Sequence, residues 1–261
     1  MRPRSILITG ASRGLGAALA HAYADAGVDL ILTARSVRTL EKICAECQAS
    51  GAKVHCLPLD LTSEASIDDA LAEVDLIGLP DLLIANAGVY SGRQENGLLE
   101  SRDTQNQQLS VNLTGTIQFL DQCAQGMKDR GSGHLALISS LAAIQPQPDS
   151  PVYSASKAGL AFWGRSMAED LADHGVQISI VYPGHIESQQ TEMQVGALPG
   201  LMPAPRAAEI IRKSIDKKRA RIIFPRHLYW LILVSNLLPG WLRRRVNRPF
   251  RYHVARDDRP E

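Results

Sequence analysis

The chain has 261 residues, 45% of them hydrophobic, which is enough to bury one sizeable core and favours one large α/β domain over two small ones. Its formal net charge of +1 excludes a polyanion binder built on whole-molecule charge. The balance is uneven, however: basic residues outnumber acidic ones from Arg212 to Arg256, while the first half is near neutral or acidic.

Short aliphatic or β-branched runs alternate with longer amphipathic ones. SILIT (5–9) reads as a strand, followed by a helix over Leu15 to Ala26. DLILT (29–33) is a second strand before a helix over Val37 to Ser50, and KVHCL (53–57) a third before a helix over Glu64 to Leu76. DLLIA (81–85) is the fourth, with a long helical tract from Asp103 to Arg130 behind it. HLALIS (134–139) and the helix Val152 to Asp173 come next, then QISIVY (177–182) and the helix Ala204 to Lys217, and RIIF (221–224) closes the series as a seventh strand. This alternation predicts right-handed βαβ units and a parallel sheet covered on both faces. Strands apolar from end to end fit that burial. The expected fold is a single doubly wound α/β domain over residues 1–225, with its ligand at the carboxyl ends of the strands, followed by an extension over 226–261.

Cys44 and Cys47 have C-x-x-C spacing, but no second pair at ligand spacing follows, and Cys44, Cys47, Cys56 and Cys123 read as reduced, unligated thiols with no metal. The apolar run behind MRPR is too short for a signal peptide, and no run reaches the roughly 18–20 residues of a membrane span. A cytoplasmic protein is expected.

Gly10, Gly14 and Gly16 stand at the first strand-to-helix junction. Gly10 permits the tight turn, and the missing side chains at Gly14 and Gly16 let backbone approach a pyrophosphate at the helix N-terminus. A Gly-Lys-Ser/Thr run is absent, which argues against a nucleotide triphosphatase. The second strand ends Thr33-Ala34-Arg35-Ser36, with no acid to bind a ribose 2′-hydroxyl, while Arg35 and Arg13 are placed to clamp a 2′-phosphate. NADP(H) is the cofactor expected.

Tyr153 and Lys157 are four residues apart, and Ser140 lies upstream. A free tyrosine, with a pKa of about 10, is a poor base near neutrality. Four residues apart on a helix is one face, so the Lys157 charge can favour the Tyr153 phenolate. Tyr153 then serves as acid/base toward an alcohol/carbonyl pair, and Ser140 donates a hydrogen bond to the reacting oxygen.

With TGASRGLG (9–16), DLT (60–62), NAG (86–88), Asn112, ISS (138–140), YSASK (153–157) and PG (183–184) in this order, the chain resembles the short-chain dehydrogenase/reductase superfamily, from about Ser5 to Phe224. The resemblance implies a Rossmann-type fold, a Lys157 that also holds the nicotinamide ribose, and an Asn112 that supports a water relay to it. It implies a cofactor site formed by Gly10, Ser12, Arg13, Gly14, Leu15, Gly16, Arg35, Asp60, Leu61, Asn86, Ala87, Gly88, Tyr153, Lys157, Pro183, Gly184, Ile186 and Ser188. Asp60 would meet the adenine amino group, although an Asp before Leu-Thr is equally a turn or helix cap. His185 is taken as a loop residue without a catalytic role. A homodimer or homotetramer through the helices Asp103–Arg130 and Val152–Asp173 is also implied.

Gln189 to Pro205, rich in Met, Leu and Pro, reads as a flexible lid suited to an apolar substrate. The extension places Tyr229, Trp230 and Trp241 beside Arg243, Arg244, Arg245, Arg248 and Arg251. That mixture suits a membrane–water interface through residues 226–251, peripheral on the inner face of the membrane, or a roof folded over the substrate pocket; the two are compatible. Nucleic-acid binding finds no reading motif. The function expected is an oxidoreductase reducing an apolar carbonyl, the alternative a non-catalytic NADP(H)-binding sensor or scaffold. A nucleotide-sugar epimerase or dehydratase would carry a longer substrate domain.

Overall fold

The computed structural model describes residues 3–94, 96–196, 198–247 and 252–254, of which 190, 246, 247 and 252–254 are described by backbone only. In chain order the elements are β1 (Ser5–Thr9), α1 (Gly14–Tyr23), β2 (Asp29–Ala34), α2 (Glu41–Ala49), β3 (Lys53–Pro58), α3 (Glu64–Ile77), β4 (Leu82–Ala85), α4 (Arg102–Leu109), α5 (Gly115–Arg130) and β5 (Gly133–Ile138). Then follow α6 (Pro151–Leu171), β6 (Val176–Pro183), α7 (Gln189–Glu192), β7 (Gln194–Gly196), α8 (Ala204–Asp216), β8 (Arg221–Phe224), α9 (Arg226–Asn236), α10 (Gly240–Asn247) and β9 (Tyr252–Val254).

Seven strands form one sheet in the order β3-β2-β1-β4-β5-β6-β8. Every pairing in it is parallel. The order reverses between β1 and β4, which opens the crevice where a doubly wound sheet takes its ligand. Successive side chains leave a strand on opposite faces. Leu7, Ile31, Leu83 and Leu135 therefore join one core with Phe119, Leu120 and Leu160. Ile6, Ile8, Leu30, Leu82 and Ile84 join the other, with Leu19 and Ile211. This two-sided burial is why the strands read as unbroken apolar runs.

The structure departs from the sequence expectations in several places. The first helix stops at Tyr23, not Ala26, because Ala24 turns to an extended conformation and Gly27 takes φ +80°. The second opens with a 3₁₀ turn over Val37–Leu40. The long tract is α4 and α5 joined by a π-helical turn, Ser110–Thr114, with Asn112 at its centre. Gln189 to Pro205 carries regular structure in α7 and β7, and Glu187 N–H donates to Met202 O while Met202 N–H donates to His185 O. β7 pairs antiparallel with β9 of the extension.

The cysteine expectation is corrected as well. Cys44 of α2 and Cys56 of β3 are joined in a disulfide, and Cys47 and Cys123 are the free, buried thiols. The spacing along the chain singles out only Cys44 and Cys47, but α2 packs across β3 and brings Cys56 to Cys44. Reduced thiols therefore no longer support a cytoplasmic setting.

Gly115 opens α5 where the helix meets the turn after β3. A Cβ there would stand 1.8 Å from Leu61 O and 2.8 Å from Leu61 C, both backbone atoms that yield only by moving the turn. Gly115→Ala is expected to cost about 1–3 kcal/mol, read as a lower urea midpoint at unchanged m-value.

Candidate active site

A cleft of about 1670 Å³ runs along the carboxyl edge of the sheet. That exceeds the usual small-molecule pocket and leaves room for a dinucleotide beside a substrate. At one end α1 begins at Gly14 with no side chain capping it, so its first N–H groups face the cleft. Gly10 and Gly14 hold φ of +65° and +56°. A Cβ on Gly16 would stand 2.1 Å from Gly10 O, so only glycine lets the helix start against the turn. Asn86 holds this turn from β4: its Nδ2 donates to Thr9 O at 3.0 Å and Gly10 O at 3.1 Å. Thr9 Oγ1 accepts from the N–H groups of Asn86 and Ala87, each at 3.0 Å. These observations fit a pyrophosphate cradle, the place a dinucleotide cofactor would take.

Arg35, Ser36 and Thr39 line the cleft beyond β2, and no acid stands at that strand end. Arg13 donates to Gln189 Oε1 at 2.5 Å, which ties the glycine turn to α7 across the cleft. Asp60 Oδ1 accepts from Thr62 N–H at 2.9 Å and Thr62 Oγ1 at 2.7 Å, so this oxygen holds the turn. The cap of α3 is Ser63.

The other end of the cleft is built on α6. Lys157 is 4% exposed and its Nζ donates to Ile138 O at 3.0 Å, while Ser139 Oγ donates back to Lys157 O at 2.9 Å. These reciprocal bonds dock α6 on the end of β5. Lys157 Nζ lies 5.9 Å from the centre of the Tyr153 ring. Burial lowers the Lys157 pKa to about 8. Ser140 Oγ accepts from Ala142 N–H at 3.1 Å, which orients the hydroxyl and leaves its proton to donate into the cleft. Tyr90 packs edge-on against Tyr153, ring centres 4.9 Å apart.

Asn112 is fully buried beneath the cleft. Its Oδ1 accepts from Val89 N–H at 2.8 Å, and its Nδ2 donates to Val89 O at 2.8 Å and Ser156 Oγ at 3.3 Å. Ser156 Oγ in turn donates to Tyr153 O at 2.8 Å. A Cβ on Gly88 would stand 3.2 Å from both Asn112 Oδ1 and Lys157 Nζ, so a side chain on the loop over the lysine would fit only by displacing one of them slightly.

The loops after β4 and β5 are pinned together by Arg93 Nε donating to buried Asp149 Oδ1 at 3.0 Å. Gln145 Oε1 is buried at the cleft with no hydrogen-bond partner among the described residues. Burial holds His185 below its ordinary pKa. The roof comes from the extension: Leu228, Leu231, Ile232 and Ser235 of α9, and Arg243 and Arg244 of α10. The Arg221 guanidinium lies between the rings of Tyr182 and Tyr229, 5.3 and 5.4 Å from their centres, and fastens α9 to the sheet edge.

The fold and site define a doubly wound framework of the dinucleotide-binding kind. The short chain dehydrogenase family model matches residues 4–197, and the chain belongs to that family. It is 33% identical over 241 residues to an uncharacterized oxidoreductase of Myxococcus xanthus, covering 92% of this chain and 94% of that protein. It is 34% identical over 187 residues to a 3-oxoacyl acyl-carrier-protein reductase of Aquifex aeolicus, covering 71% and 75%. Among solved structures, a short-chain dehydrogenase from Sphingobium yanoikuyae in complex with NADPH superposes with a TM-score of 0.77 over 98% of both chains at 23% identity. One from Burkholderia phymatum in complex with NAD gives 0.79 over 89% of this chain and 92% of that one, at 21% identity.

Of the residues singled out from sequence, Ser140, Tyr153 and Lys157 line the cleft together with the whole set from Gly10 to Ser188 named for the cofactor. Asn112 lies beneath it. Thr9 and Tyr90 were missed as site residues, and Gln189 was read only as part of a lid, since a lone hydroxyl, ring or amide carries no spacing signal. With a folded pKa near 8 against an ordinary 10.5, the unfolded chain binds the Lys157 proton over a pH range where the folded protein has lost it. Burying the charge costs stability below about pH 8, and that cost fades as pH rises toward 10.5. Lys157→Met is therefore expected to melt above the wild type at pH 7 without cofactor, with the gap closing over that range; a gap that widens with pH would contradict it.

Proposed function

We propose that the protein is an NADP(H)-dependent reductase of apolar carbonyl compounds, or the corresponding alcohol dehydrogenase. The observation that carries this reading is Lys157, buried beside the Tyr153 ring in the same cleft as Ser140 and the glycine turn. The cofactor, when bound, supplies or accepts hydride at its nicotinamide. Ser140 donates to the substrate oxygen and fixes its position. Tyr153 gives that oxygen a proton in reduction and takes one in oxidation. Lys157, charged below about pH 8, favours the phenolate. Asn112 fixes the loop over Lys157 through Val89 and the start of α6 through Ser156.

Arg35 and Ser36 support a 2′-phosphate over a free ribose hydroxyl. Leu228, Leu231, Ile232 and Met193 line the substrate end and favour an apolar body. Among the described residues no helix is long and apolar enough to cross a membrane. Phe162 of α6, 68% exposed, supports a homodimer or homotetramer through the α4, α5 and α6 faces.

The test is NADPH oxidation over a panel of apolar ketones and aldehydes. Tyr153→Phe is expected to lower kcat by about 10²–10⁴-fold with NADPH affinity retained. Tight NADPH binding without turnover on any carbonyl would favour a sensor or scaffold. Arg35→Asp is expected to shift the NADPH over NADH preference toward NADH by about 10-fold or more, read from kcat/KM with each cofactor.

A further inference from the structure

α9 is apolar on two faces. Leu228, Ile232 and Ser235, spaced at helical repeats, point inward and line the cleft. Trp230, Val234 and Leu237 follow the opposite repeat and stand 60%, 58% and 85% exposed. Trp241 of α10 adds to them at 66%. A soluble helix normally turns charge outward, and one apolar all round has something against both faces.

The charge around this patch says what covers it. No acidic residue stands between Asp216 and Asp257. Arg243, Arg244 and Arg245 are exposed next to Trp241, and none forms an ion pair among the described residues. Arg248 and Arg251 lie outside the described residues. Tryptophan and arginine flanking aliphatic side chains on a short helix that cannot span is the composition of an interfacial anchor on anionic lipid. A second copy of the chain fits less well: a two-fold contact centred on the patch would bring both sets of arginines together with no acid from this segment to pair them.

Leu231 links the patch to the site, since it is 46% exposed and also lines the cleft, as Arg243 and Arg244 do. We propose that the outer faces of α9 and α10 dock on an anionic bilayer and that the mouth of the cleft opens onto it, so that the carbonyl substrate is drawn from the lipid phase. Docking stands on the patch alone; delivery rests on the reductase reading above.

The experiment uses the full chain and a variant with Trp230→Ser, Leu237→Ser and Trp241→Ser, positions that do not line the cleft. Each is sedimented with vesicles of phosphatidylcholine alone and with roughly one quarter phosphatidylserine. Docking predicts that the full chain pellets with the anionic vesicles, about 10-fold less with the neutral ones or in about 0.5 M salt, and that the variant stays in the supernatant. A full chain that stays in solution, or a variant that pellets equally, overturns it. A variant that turns an oligomer into a monomer while neither form binds vesicles assigns the patch to a second copy and overturns it too. Delivery is tested by NADPH oxidation: a long-chain ketone dissolved in the anionic vesicles should be reduced about 10-fold faster by the full chain than by the variant, and a short water-soluble ketone equally by both. Equal rates on the long-chain ketone overturn delivery. Vesicle binding with no turnover on any ketone leaves docking intact and overturns the reductase reading and delivery with it.

Discussion

The site depends on a single buried cation. Lys157 keeps its ammonium out of water with one backbone carbonyl, Ile138 O, as its hydrogen-bond partner. Burying such a group is expensive, and the surrounding chain holds it in place at that cost. Ser139 returns a hydrogen bond to the lysine backbone, and Asn112 grips the loop over it and, through Ser156, the turn that carries Tyr153. α6, β5 and the β4 loop therefore share one rigid junction. A proton-transfer group at Tyr153 would gain from this, because its orientation is set by backbone geometry and not by long, solvated side chains.

The fold was legible because burial on both faces forces strands to be apolar throughout, whereas helices covering one face show a 3.6-residue repeat. The seven runs from SILIT to RIIF became the seven strands of the sheet. The features that escaped are those set by distant contacts. The π turn around Asn112 breaks no apolar period. The link from Cys44 to Cys56 depends on how α2 lies over β3, which spacing along the chain does not encode. α7 and β7 are too short to carry a period, and β7 exists as a strand only because β9 pairs with it.

The candidate site was legible where one residue type is required at one place. Gly16 cannot carry a Cβ, and Lys157 must follow Tyr153 by one helical turn. It was illegible where a common residue acts through position. Thr9 accepts two backbone N–H groups to fasten β1 to β4, and Tyr90 packs on the Tyr153 ring, yet nothing in their local sequence separates them from ordinary strand and loop residues. Asp60 showed why one residue can support two readings: it lines the cleft and holds its own turn through Thr62.

The antiparallel pairing of β7 with β9 joins the segment after β6 to the end of the extension. These are the two pieces of chain that close the substrate end, and they come from positions some sixty residues apart. Because their backbones are hydrogen-bonded, neither can swing away alone without breaking that ladder. The segment after β6 and the extension are thus coupled through backbone, while the Arg221 guanidinium holds α9 to the sheet edge. A displacement of one wall of the cleft mouth is therefore passed to the other, although some sixty residues of chain separate them.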